Sequence, residues 1–215
     1  MASLEIPDTQ LQHPFSCIIA GASQSGKTVL VSKLLRSLDL VVSPRIKEII
    51  ISYSEDQPIY HELAAGDSRV KLVKGSDFEI TSGDHTLVCV DDQMNSCLND
   101  KKIQDLFTKG VHHRSISVLL ITQDLYPQEK FARTIRRNST YMFVLRSPTF
   151  RSQISFLGRQ IFPEAPKYLL NAYEKATTNV YSYLFINLHP TCPDMLRVSS
   201  GILPNEDHVV YVKET

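Results

Sequence analysis

The sequence predicts an α/β fold with a mainly parallel central sheet flanked by helices and a small antiparallel extension near the C-terminus. Short apolar runs alternate with stretches of helical spacing between Phe15 and Leu145. The first apolar run passes directly into a helix through a glycine-rich loop. Short strand-like segments return near the end of the chain. Alternation of strands and helices implies right-handed crossovers and a parallel sheet covered on both faces.

The positions of the strands and helices are predicted from the spacing of the apolar residues and from the turn residues between them. Strands are predicted at 15–20, 46–53, 70–73, 86–90, 115–122, 141–145, 181–188, 196–199 and 209–212. Helices are predicted at 29–38, 99–109, 128–137, 149–160 and 165–176, with a short helix after Pro58. We expect an N-terminal segment at 1–14, one domain at 15–188, and a β extension of that domain at 189–215.

Composition limits the function classes. Hydrophobic residues make up 42% of the 215 residues, enough for one full core, but no apolar run approaches the roughly 20 residues that span a bilayer. The first 14 residues do not resemble a signal peptide, so we expect an intracellular protein without a membrane partner. The four cysteines show no paired spacing and are expected to be reduced. His189 and Cys192 alone provide too few ligands for zinc.

A complete phosphate-binding motif, G-x-x-x-x-G-K-[ST], occupies residues 21–28 between a predicted strand and a predicted helix. In such a loop, successive backbone N–H groups point at phosphate oxygens. We expect Lys27 to reach the β- and γ-phosphates and the Thr28 hydroxyl to ligate Mg²⁺. The expected nucleotide-binding residues are Gly21, Ala22, Ser23, Gln24, Ser25, Gly26, Lys27 and Thr28.

Two carboxylates follow the apolar run 87–90, as in a Walker B motif. We expect Asp91 to hold the magnesium ion through its water shell and Asp92 to orient the attacking water. The alternative for this pair is a helix N-cap and its neighbour.

Gln123 stands at the tip of the next predicted strand, where it can donate to the γ-phosphate and accept from the lytic water. Together with Asp92, it indicates the NTPase class that has a catalytic acid and an additional strand between the P-loop and Walker B strands.

The charge distribution is uneven although the net charge is zero. Residues 101–159 contain eleven Lys/Arg and three Asp/Glu, a balance of +8, and the remainder has twelve and twenty, a balance of −8. This asymmetry favours a DNA surface, or else cations dispersed over helix faces. The candidate DNA contacts are Lys101, Lys102, Lys109, Arg114 and Lys130.

A basic helix is predicted in this segment, with Lys130, Arg133 and Arg137 on one face. One arginine could be a finger that reaches a neighbour's γ-phosphate, and the alternative is a solvated cationic face. The candidates for this role are Arg133, Arg136, Arg137 and Arg146. No catalytic role is assigned to His112 or His113.

Several strings together resemble viral DNA-packaging ATPases of the FtsK/HerA superfamily, in the branch that includes the poxvirus enzyme and those of Polinton/Maverick elements and virophages. The strings are GASQSGKT (21–28), LVCVDD (87–92), VHHRSISVLLITQ (111–123), RTIRRNSTYMFVLRSP (133–148), LGRQIFP (157–163) and LFINLHPTCPDMLRV (184–198). Many relatives carry an arginine where this chain has Val111, which leaves the choice of finger open.

The resemblance implies an ATP- and Mg²⁺-dependent motor that pumps double-stranded DNA into a preformed capsid. It implies a homo-oligomeric ring, a pentamer or hexamer, that works with capsid vertex proteins in the host cytoplasm or nucleus. The alternatives are a non-viral DNA translocase and, in a different class, a small-molecule P-loop kinase with Arg151 and Arg159 on a lid.

Overall fold

The computed structural model describes residues 10–80, 85–91, 97–111 and 115–213, in which strands and helices alternate as predicted. The strands are β1 (Leu11–Gln12), β2 (Ser16–Ala20), β3 (Val42–Ser43), β4 (Glu48–Tyr53), β5 (Val70–Lys74), β6 (Thr86–Asp91), β7 (Ile116–Thr122), β8 (Tyr141–Leu145), β9 (Tyr183–Asn187), β10 (Val198–Ser200) and β11 (Val209–Val210).

Helices cover both faces of the sheet. They are α1 (Lys27–Arg36), α2 (Leu38–Val41), α3 (Pro58–Gly66), α4 (Lys101–Asp105), α5 (Ala132–Arg137), α6 (Arg151–Ile161) and α7 (Tyr168–Ala176). Leu106–Gly110 continues α4 as a π-helical turn, and 3-10 turns occur at Cys97–Asn99 and Asp194–Leu196. None of the helices in the described ranges has the length and hydropathy needed to cross a membrane.

Nine strands form one sheet in the order β11-β10-β9-β8-β2-β7-β6-β4-β5, and β1 pairs separately with β3. All pairs from β8 to β5 are parallel, whereas β9, β10 and β11 join antiparallel. The predicted class is therefore confirmed, and the antiparallel part already begins at β9. Strand β7 separates the P-loop strand β2 from the Walker B strand β6, as predicted for an additional-strand NTPase.

Side chains alternate between the two faces of the central strands, which produces two hydrophobic clusters. Ile18 of β2 packs under the α4–α7 face, and Cys17 and Ile19 pack under the face covered by α1 and α3. Burial raises the pKa of the thiols of Cys17 and Cys89, so both stay protonated, and both cysteines are free in the structure.

Two helix predictions were wrong in extent. The predicted helix at 128–137 begins only at Ala132. The Ala132 amide donates to the Glu129 carbonyl in a tighter turn, and the first bond of α-helical spacing runs from the Ile135 amide to the Phe131 carbonyl. Lys130 therefore does not share a helix face with Arg133 and Arg137. The segment at 99–109 becomes α4, N-capped by the Asp100 side chain, followed by the π-helical turn.

Candidate active site

The P-loop joins β2 to α1 at the carboxyl edge of the sheet. Gln24 and Gly26 take positive φ values of 62° and 96°, which curl the loop before α1 begins at Lys27. Gly21 packs so closely that an added Cβ would lie 2.4 Å from Ser25 Oγ. The loop therefore depends on glycine at both motif positions, and the first turn of α1 faces the space that it encloses.

Lys27 is folded back onto the loop. Its Nζ donates to the carbonyl oxygens of Gly21 at 2.7 Å and Ala22 at 2.8 Å. Burial lowers the pKa of Lys27, and the negative charge of Asp91 opposes that shift. The ammonium group thus has local acceptors that phosphate oxygens can replace.

Asp91 ends β6 and is buried, with 6% of its surface exposed. Two hydrogen-bond donors from the start of α3 share one oxygen of the Asp91 carboxylate. The Tyr60 hydroxyl donates to Asp91 Oδ2, and Gln57 Nε2 donates to it at 3.2 Å. Burial, followed by the charge of Asp91, raises the pKa of Tyr60, so its hydroxyl is a donor over the ordinary pH range. The carboxylate is thus held in place before any nucleotide arrives.

A cleft of about 570 Å³ brings together side chains from five segments at the carboxyl edge. Its polar lining includes Lys27, Thr28, Asp91, Gln123, Gln57, Glu55 and Asp56. The structure therefore places Lys27, Asp91 and Gln123, which are the predicted phosphate-binding lysine, Walker B acid and sensor, around one space. Its volume suits a nucleotide-sized ligand.

The donor set in the cleft fits a magnesium ion. The Thr28 hydroxyl and the Asp91 carboxylate both line it, and Glu55 and Asp56 add further carboxylates. Mg²⁺ prefers hard oxygen ligands and retains several waters. Among the described residues, neither cysteine nor histidine lines the cleft, so the described lining does not favour a softer metal.

Some predicted residues lie outside the described ranges. Asp92, the predicted catalytic acid, follows the last described residue of β6, and Arg114, His112 and His113 lie between 111 and 115. Their roles remain predictions.

Sequence reasoning missed Gln57 and Tyr181, which line the cleft, and Tyr60, which donates a hydrogen bond to Asp91. Tyr181 has a positive φ of 65°, and an added Cβ on Gly26 would lie 2.6 Å from the Tyr181 ring. The helix predicted after Pro58 was a sequence signal close to Gln57 and Tyr60. Tyr181 is remote in sequence from every motif and gave none.

The candidate finger arginines lie away from the cleft. Arg133, Arg136 and Arg137 on α5 line a separate groove of about 1050 Å³, together with Lys130 and the side chains of β8 and α6. Its lining includes Met142, at the amino end of β8, and Leu188, directly after the antiparallel β9, so the groove lies toward the amino edge of the sheet. Arg136 Cζ stacks 4.0 Å from the Tyr126 ring centroid.

Arg146 follows β8, the strand beside the P-loop strand, and therefore lies at the carboxyl edge. Its Nη1 donates to the Thr178 carbonyl at 3.4 Å, and it does not line the cleft. Neither it nor Arg133 is placed against the P-loop of its own chain.

The candidate DNA lysines differ in their surroundings. Lys102 Nζ donates to the carbonyl oxygens of Ser76 and Phe78, and Lys109 pairs with Asp105 at 3.2 Å. Lys101 is exposed, and Lys130 lines the arginine groove. Within the described ranges, Lys130 is thus the candidate that joins the cluster of arginines.

The lid required by the kinase alternative is not assembled at the cleft. Arg151 lies at the start of α6, where its Nη1 is 2.5 Å from Glu174 Oε1, and Arg159 lies beside Phe156 near the end of that helix. Neither arginine lines the cleft.

The fold and the cleft define the P-loop α/β class with an additional strand between the strand that leads into the P-loop and the strand that ends in Asp91. No protein-family model matches the chain. No curated protein matches it either.

Solved structures with the same fold include the genome-packaging NTPase B204 of Sulfolobus turreted icosahedral virus 2. Its complex with AMPPCP has a TM-score of 0.55 at 16% identity over 83% of this chain and 94% of that one. Its complex with ATP-gammaS has a TM-score of 0.53 at 14% identity and covers 94% and 98% of the two chains.

The cytoplasmic domain of the type VII secretion ATPase EccC from Thermomonospora curvata is also similar, with a TM-score of 0.52 at 14% identity over 92% of this chain and 25% of that chain. The predicted resemblance to viral packaging ATPases is confirmed in the fold.

Proposed function

We propose that this protein is an ATP-hydrolysing motor that translocates double-stranded viral DNA into a preformed capsid. The observation that carries the proposal is the meeting of Lys27, Thr28, Asp91 and Gln123 around one cleft of an additional-strand sheet. The fold shared with a viral genome-packaging NTPase supports the choice of motor over kinase.

The P-loop amides and Lys27 bind the triphosphate, and Lys27 exchanges the carbonyls of Gly21 and Ala22 for phosphate oxygens. Thr28 and Asp91 would hold Mg²⁺, which would supply positive charge to the phosphates. Asp92 takes a proton from the attacking water, and Gln123 orients that water against the γ-phosphate.

An α5 arginine completes the site of a neighbouring subunit. Helix α5 and its groove lie toward the amino edge, whereas the P-loop lies at the carboxyl edge. A finger from α5 must therefore act in trans, which requires a ring or another head-to-tail assembly. Arg133 is the proposed finger, and Arg146 at the carboxyl edge is the second candidate.

DNA contacts the cations of the arginine groove through its phosphates. Lys130, Arg136 and Arg137 supply charge there, and the balance of +8 over residues 101–159 favours a polyanionic partner. Ring formation, capsid attachment and location in the host cytoplasm or nucleus are parts of the same proposal.

The class of enzyme is tested by phosphate release with ATP alone, with added duplex DNA, and with nucleoside monophosphates as acceptors. We expect release of inorganic phosphate that duplex DNA stimulates and monophosphates do not change. Transfer of phosphate to a monophosphate, without DNA stimulation, would instead identify a kinase.

The trans arrangement is tested by mixing two inactive variants. Arg133→Ala subunits retain an intact P-loop, and Lys27→Ala subunits retain Arg133, so mixed interfaces combine both functional parts. We expect the mixture to recover part of the wild-type turnover, and activity to rise more steeply than linearly with protein concentration. Assembled mixtures that stay as inactive as either parent would exclude Arg133 as the finger, and the same mixing with Arg146→Ala would follow.

A further inference from the structure

We propose that Tyr60 is a positioning residue for the Walker B carboxylate, holding Asp91 in the orientation that magnesium–nucleotide binding needs. The inference rests on the proposed nucleotide site. It assigns a task to α3, an element without a recognised motif.

The contact is built into the core. Tyr60 is completely buried, and its ring packs 5.6 Å, centroid to centroid, from that of Tyr53 at the end of β4. Its hydroxyl and Gln57 Nε2 both donate to Oδ2 of Asp91, and neither uses Oδ1. A buried ring cannot easily swing away, so the hydroxyl fixes one carboxylate oxygen without first having to be ordered.

The position of Asp91 matters because it lines the same cleft as Lys27 and carries the opposite charge. A carboxylate that lost the hydrogen bonds from Tyr60 and Gln57 would be drawn toward that ammonium group. Such a pair would engage two groups that the proposed site needs separately, Lys27 for phosphate and Asp91 for the metal. Tyr60 thereby keeps the two roles apart.

Residues that orient a metal-binding carboxylate typically contribute 10–100-fold to metal affinity. Their loss should therefore weaken nucleotide binding in the presence of magnesium and leave metal-free binding largely intact. A residue that only fills the core would affect both conditions alike, through stability.

The test is Tyr60→Phe, which removes one oxygen and keeps the ring. The matched control is Tyr183→Phe. Tyr183 is also buried, its hydroxyl donates to Glu206 Oε2 at 2.5 Å, and it accepts from the Ile202 amide at 2.9 Å, all outside the cleft. Binding of a fluorescent methylanthraniloyl derivative of ATP is titrated in excess Mg²⁺ and in EDTA, and the Mg²⁺ concentration at half-saturation is measured.

We expect Tyr60→Phe to raise the half-saturating Mg²⁺ concentration about tenfold while its affinity in EDTA stays within about twofold of wild type. Tyr183→Phe should change neither value, whereas the melting temperature should fall in both variants because each loses a buried hydrogen bond. Gln57→Met removes the other donor at the rim of the cleft, and we expect a rise in the same direction of about threefold. If Tyr60→Phe does not fold, the magnesium dependence of Gln57→Met tests the positioning role instead.

Wild-type magnesium dependence in Tyr60→Phe, or an equal loss of affinity with and without Mg²⁺, would overturn the positioning role and leave the proposed function standing. Wild-type protein that binds the probe in neither buffer would overturn the nucleotide site itself, and the positioning role with it.

Discussion

The cleft at the carboxyl edge and the groove toward the amino edge present charge in different ways. In the cleft, the cation Lys27 faces Asp91, Glu55 and Asp56, and its ammonium group is already hydrogen-bonded. In the groove, Lys130, Arg133, Arg136 and Arg137 gather around one carboxylate, Glu129, and none of the four forms an ion pair within the described ranges.

Because their charges are arranged differently, the cleft and the groove suit different ligands. Mixed charges at fixed positions suit a small ligand that brings both phosphates and a metal. Clustered cations raise one another's electrostatic energy. The pKa of Arg136 is lowered mainly by its burial, and the positive charges of Arg133 and Arg137 lower it further. An incoming polyanion relieves that repulsion, so the groove favours phosphates supplied by another molecule.

The largest expected effect is at the cleft. Lys27→Ala should abolish measurable hydrolysis and strongly weaken ATP binding, because the replaced ammonium group neutralises the β- and γ-phosphates. Steady-state phosphate release and nucleotide titration measure the two effects. Lys33→Ala is the control, since Lys33 lies on the same helix and pairs at 3.7 Å with Glu206, outside the cleft. A Lys27→Ala variant with near wild-type turnover would refute the site assignment.

The two Walker B acids should differ in which step they affect. Asp92→Asn is expected to keep magnesium–nucleotide binding and to slow turnover roughly a hundredfold, the scale for loss of a positioned general base. Asp91→Asn should instead impair magnesium-dependent binding. Nucleotide titration and single-turnover kinetics separate the steps. Identical defects in both variants would show that the division of roles is wrong.

The smallest expected effect is in the groove. Arg137→Gln should lower duplex-DNA affinity several-fold at low salt and reduce the slope of log affinity against log salt by about 0.9, the value for one lost phosphate contact. Fluorescence anisotropy over a range of salt concentrations measures it. Arg45→Gln is the control, because Arg45 is an exposed arginine paired with Asp39 outside the groove. Equal slopes in both variants would remove Arg137 from the DNA surface.

The sequence was sufficient to predict those parts of the structure whose residues are adjacent along the chain. Residues 21–26 form the loop between β2 and α1, and Lys27 and Thr28 begin the helix. The motif and the residues on either side of it therefore predicted the strand–loop–helix arrangement that the structure has. The helix at 128–137 was predicted too long for a related reason. Periodicity reports which residues could form a helix, whereas the path of the chain before Ala132 is set by hydrogen bonds to the distant Asn99 and Leu98.

The sequence by itself determined the class of fold, the phosphate-binding loop and the order of the motifs, because each depends on neighbours along the chain. Only the tertiary structure placed Tyr60 and Gln57 on Asp91, Tyr181 against Gly26, and the arginines on a surface separate from the cleft. These contacts join segments from different connections of the sheet. They form because packing the helices onto its two faces sets which side chains meet, and that packing leaves no regular spacing in the sequence.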